Sequence, residues 1–91
     1  ILPPTLVEQL RSLTPKGVSV EMVETLVAYY LANKPEDSDW VVLPVANFDA
    51  YFGTTSFGRK YLKQIPESVL ERSETGFGLC RYRLGDTLAI Q

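Results

Sequence analysis

The sequence predicts a small α+β domain, mainly α-helical, whose β-structure gathers in a C-terminal hairpin. Three observations carry that expectation. Apolar residues recur at helical spacing early in the chain, first as Leu6, Leu10 and Leu13 and then as Val20, Val23, Val27 and Tyr30. Two β-prone runs come late, 69–73 and 79–84. They flank Glu74-Thr75-Gly76-Phe77-Gly78, whose two glycines permit the positive φ of a tight or bulged hairpin. Finally, 91 residues, 45% apolar and 22% charged, suit one globular domain and argue against disorder.

The elements follow in order. Pro3 and Pro4 suit the first turn of a helix, which Pro15 and Gly17 break. Ser19 can cap a second helix over 19–33, with Glu21 and Glu24 near its N-terminal dipole. Its apolar residues form two stripes: Val20, Val23, Val27 and Tyr30 or Leu31; and Met22, Leu26 and Tyr29. Only Glu21, Thr25, Ala28 and Ala32 are left for solvent, so this helix should be central and contacted from two sides. Pro35 ends it, and 35–39 reads as an acidic loop. Trp40 to Leu43 form a short strand stopped by Pro44. Asn47 can cap a helix through Phe48, Tyr51 and Phe52, which Gly53 ends. After a turn at 54–56, Phe57, Tyr61, Leu62 and Ile65 keep helical spacing until Pro66. The hairpin follows, Gly85 and Asp86 turn the chain, and 87–90 is a last strand or an ordered tail. The large aromatics, from Tyr29 to Tyr61, belong mostly to the core.

Composition removes whole classes of chemistry. There is no histidine, and Cys80 is the single cysteine, so Cys/His zinc sites, Ser-His-Asp triads and Cys-His dyads are excluded. Cys80 reads as a small core hydrophobe. A single cysteine cannot form an intramolecular disulfide, so nothing points to an oxidising compartment, and an intracellular setting, cytoplasmic or nuclear, is expected. The longest uncharged apolar run, Leu26 to Asn33, is far too short to span a bilayer, so no membrane partner is expected. The acidic loop of Glu36, Asp37 and Asp39 lacks calcium-loop spacing, and Gly76-Phe77-Gly78 lacks the rest of a nucleotide motif. Neither metal nor cofactor is expected, and with no usual general base the chain is not read as an enzyme. The chain starts at Ile1, which suggests a fragment of a longer protein, here the single domain 1–91.

Charge is uneven. Residues 1–54 carry three cations against seven anions, while 55–91 carry six against four. Six of nine basic residues therefore fall within 59–83, although the net charge is −2. The order helix, helix, strand, short helix, turn, helix, hairpin resembles the winged-helix variant of the helix-turn-helix, preceded by an extra N-terminal helix. The matching segments are 19–33, 40–43, 47–52, 55–65, 69–73, 74–78 and 79–84, about two thirds of the chain. The stretch from Leu70-Glu71-Arg72 through Gly76-Phe77-Gly78 to Arg81-Tyr82-Arg83-Leu84 is similar to the closing wing of that superfamily.

The resemblance implies double-stranded DNA as partner, with helix 55–65 in the major groove and wing 69–84 on the backbone, in a transcription or replication protein. The 55–65 helix sets Ser56, Arg59, Lys60, Lys63 and Gln64 opposite its apolar side. There Arg59 could read guanine, Gln64 adenine, and Lys60 and Lys63 could hold phosphates. In the wing, Cys80, Tyr82 and Leu84 share one face, which would leave Arg81 and Arg83 projecting outward beside Arg72. Phe77 at the tip either folds back as core or stands exposed for contact. The plain alternative for the basic stripe is a solvated helix face. At the level of function, the alternative is a protein-interaction module on the same fold. It would contact another protein or another domain of the parent chain through its acidic half.

Overall fold

Residues 2–53, 62–74 and 80–85 are described by a computed structural model. They form α1 (Pro4–Leu13), α2 (Val20–Asn33), β1 (Val41–Val42), α3 (Val45–Phe52), a 3-10 turn (Leu62–Gln64), β2 (Leu70–Glu74) and β3 (Cys80–Leu84). The strands make one antiparallel sheet in the order β1-β3-β2. The described chain is thus a small α+β fold of three α-helices and a three-stranded sheet.

Prolines and caps set the helices where local chemistry requires. Pro4 occupies the first turn of α1, where its missing N–H costs no hydrogen bond. The Thr14 hydroxyl closes the other end by donating to the Leu10 carbonyl at 2.6 Å. At the start of α2, Ser19 Oγ accepts from the Glu21 N–H at 3.2 Å. Val23, Leu26, Val27 and Tyr30 are buried on α2, and α1 brings Leu6 and Leu10 into the same core. Tyr30 is the buried member of the expected pair, whereas Leu31 is exposed. Thr25 and Ala28, expected in the solvent strip, are half-buried, because Leu2 and Val7 share a shallow groove with them and Glu24.

α3 corrects the expected cap. The helix begins at Val45, and Pro44 is its N-cap, without a side-chain bond. The Pro44 carbonyl accepts the Phe48 N–H at 3.1 Å, so Asn47 lies inside the first turn and is exposed. Proline ends the strand and starts the helix at once, which leaves no residue for a separate cap. Gly53 closes α3 in the left-handed region at φ 65°, as its position suggested. Tyr51, expected in the core, is 66% exposed: Phe48 takes the inward position on this short helix, with Tyr51 at the edge. Trp40 and Tyr29 are half-buried.

Most of the helix expected over 55–65 lies outside the described residues. Its end, Leu62–Gln64, is a 3-10 turn, with the Ile65 N–H reaching back to the Leu62 carbonyl at 3.3 Å. Leu62 and Ile65 join the core with Val23, Leu26 and Val27, as their spacing predicted. The hairpin pairs Leu70 with Leu84, Glu71 with Arg83, Arg72 with Tyr82 and Ser73 with Arg81. Tyr82, fully buried, anchors the sheet on α2 by donating from its hydroxyl to the Leu26 carbonyl at 2.6 Å. Cys80 is half-buried and packs against the core. The expected strand or tail at 87–90 and the Phe77 turn lie outside the described residues.

Candidate nucleic-acid interface

The 3-10 turn positions two of the candidate residues. Leu62 and Ile65 are 1% and 2% exposed and pull the turn onto the core, so the intervening Lys63 and Gln64 face solvent. Gln64 also lies against the α1–α2 connection. A Cβ added at Gly17 would stand 3.4 Å from Gln64 Oε1. Ser56, Arg59 and Lys60 lie outside the described residues.

In β3 the alternation is as predicted: Arg81 is exposed, Tyr82 buried and Arg83 half-buried. Directly opposed residues of antiparallel strands share a face. One row across the outer face is therefore Val42, Arg81 and Ser73, all exposed. The next holds Arg83 between Glu71 and Trp40. Arg83 Nε donates to Glu71 Oε2 at 2.8 Å, Nη2 lies 2.7 Å from the same oxygen, and the guanidinium carbon sits 4.8 Å from the Trp40 ring centroid. Arg83 is thus engaged by a carboxylate on β2 and a ring just before β1.

Arg72 corrects the expected cluster. Opposite Tyr82, it belongs to the inner face of the sheet and does not stand beside Arg81 and Arg83. The burial of Leu70 fixes this register, and a period of two then decides the rest.

The remaining charges are simply arranged. Arg11 lies 3.6 Å from Glu8 and Lys34 3.7 Å from Asp39, both pairs well exposed. Lys16, Lys63, Arg72 and Arg81 have no ion pair among the described residues. Burial raises the Tyr30 hydroxyl above its usual range, Asp39 adding to the effect, and burial raises Tyr82 much further. Among the described residues no group of three or more Asp, Glu or Cys could hold a metal, and no helix is long and apolar enough to cross a membrane.

Lys16 escaped the sequence reading. Its relation to Lys63 rests on the Gly17–Gln64 contact, which joins segments 47 positions apart and has no signature in local spacing. Comparison with protein-family models, with curated proteins and with solved structures finds no match to this chain.

Proposed function

We propose that this domain binds double-stranded DNA as a winged helix-turn-helix. The 55–65 segment enters the major groove and the hairpin lies along the backbone. The observation that carries this is the pair of exposed cations, Lys63 on the 3-10 turn and Arg81 on β3, each without an ion pair among the described residues of a net-acidic chain. The sheet order β1-β3-β2, with the hairpin following the helical segments, supports the same architecture. Arg83 drops out as a phosphate contact because Glu71 and Trp40 engage it, and Arg72 because it belongs to the other face. The wing then contributes Arg81, while Ser56, Arg59, Lys60, Lys63 and Gln64 act from the 55–65 segment.

Fluorescence anisotropy with a short labelled duplex at two salt concentrations tests the proposal. Lys60, Lys63 and Arg81, at roughly 0.9 each, contribute about −2.7 to the slope of log affinity against log salt. Raising salt from about 50 to about 200 mM should then weaken binding roughly fortyfold through these three contacts. No binding in low salt refutes the proposal.

A second reading, a protein-interaction module, is favoured by one observation. Tyr51 is 66% exposed on α3, its ring centroid 4.7 Å from that of half-buried Phe52. Unchanged duplex binding after charge reversal at Lys63 and Arg81 would favour it.

A further inference from the structure

We infer that the α1–α2 connection is part of the same nucleic-acid surface, with Lys16 and Lys63 forming a two-lysine clamp on the phosphate backbone; this rests on the DNA-binding proposal. The carrying observation is tertiary. Gly17 turns at φ 94°, and its backbone lies against the Gln64 side chain, where a Cβ would meet Oε1 at 3.4 Å. Lys16 and Lys63 are the chain neighbours of these two residues. With consecutive Cα atoms 3.8 Å apart, the lysine Cα atoms are separated by at most roughly 17 Å. Both lysines are exposed, and neither has an ion pair among the described residues. Glu21 is exposed on the same end of α2 and bridges neither of them. By contrast Arg11, Lys34 and Arg83 each have a carboxylate.

Two point charges on long flexible stems suit phosphates, whose charge recurs along each strand about every 3.4 Å of helix axis, better than a single fixed carboxylate. Lysine supplies position and affinity there without reading sequence. The acidic loop of Glu36, Asp37 and Asp39 follows the other end of α2, a helix of 14 residues and so roughly 21 Å long. The repelling loop is thereby kept at a distance from the clamp.

The test is the salt dependence of binding to a random-sequence DNA duplex. Lys16→Ala should reduce the slope by roughly 0.9, Lys63→Ala by the same amount, and the double variant by roughly 1.8. Lys16→Arg should keep the slope. Lys34→Ala, at the acidic end, should leave it unchanged. Wild-type binding with an unaltered slope in Lys16→Ala overturns the clamp and leaves the DNA-binding proposal standing. A wild-type chain that binds no duplex even in low salt overturns both.

Discussion

Replacing Tyr82 by phenylalanine separates two contributions of one side chain. The ring is fully buried, its centroid 5.9 Å from that of Tyr30, and the hydroxyl donates to the Leu26 carbonyl at 2.6 Å. Phenylalanine keeps the ring and loses the hydrogen bond, so near neutral pH Tyr82→Phe should cost about 1 kcal/mol. The hydroxyl also carries a linkage term. Burial holds its pKa well above the ordinary 10.0, so between pH 10 and that higher value the unfolded chain loses a proton that the folded chain keeps. Its contribution is fully present below pH 10 and is lost as pH rises through that window, at up to ~1.4 kcal/mol per pH unit. Other groups titrate alike in both proteins. The two stability curves should therefore converge above pH 10 and cross near pH 11, where the wild type has given up about 1.4 kcal/mol through Tyr82 alone. Urea unfolding followed by circular dichroism between pH 7 and 11 measures this. Parallel curves across that range would show that the Tyr82 hydroxyl is not buried against α2.

Two further outcomes follow from the same packing. A Cβ at Gly85 would overlap the Ser68 carbonyl, while the Gly85 N–H holds the Val69 carbonyl at 2.8 Å. Gly85→Ala should therefore cost about 1–3 kcal/mol as a lowered urea midpoint at unchanged m, and a neutral result would mean that the chain leaves β3 by another path. Arg83→Gln removes a partly exposed ion pair and a ring contact, and should cost about 0.5–1.5 kcal/mol by urea unfolding. It should not change the salt slope of duplex binding, and a slope lowered by roughly 0.9 would return Arg83 to the phosphate contacts.

The parts of the fold legible in the sequence are those that single residues dictate. Pro4, Ser19 and Gly53 act within one turn of themselves, and each lies at the helix terminus its chemistry favours. The hairpin strands and the alternation of Arg81, Tyr82 and Arg83 were legible for the same reason. What escaped depends on partners distant in sequence. Arg72 could not be assigned a face until the pairing of Leu70 with Leu84 set the register. Thr25 and Ala28 look like a solvent strip in the helix pattern alone, and only the position of α1 half-covers them. Asn47 lost its capping role to Pro44 because two reasonable local signals competed, and the proline at the strand end acted three residues earlier. In the candidate interface, Lys63 and Arg81 were legible from periodicity, whereas the engagement of Arg83 and the proximity of Lys16 to Lys63 arise from tertiary contacts.

Arg81 and Arg83 differ in their surroundings, and the DNA-binding proposal rests on that difference. The two project from the same face, two residues apart, yet their row partners differ. Arg83, on β3, meets a carboxylate on β2 and the indole just before β1, and its guanidinium is partly withdrawn from water. Arg81 is flanked by Val42 and Ser73, neither of which can neutralise it. A cation with no ion pair among the described residues keeps its charge for an external anion. The same division separates Lys34, paired with Asp39, from Lys16 and Lys63. On the DNA-binding proposal, a chain of net charge −2 would present a surface formed by the cations that have no ion pair among the described residues. The field of such a surface reaches only about 8–10 Å at physiological salt, so the cations nearest the duplex govern binding more than the net charge does.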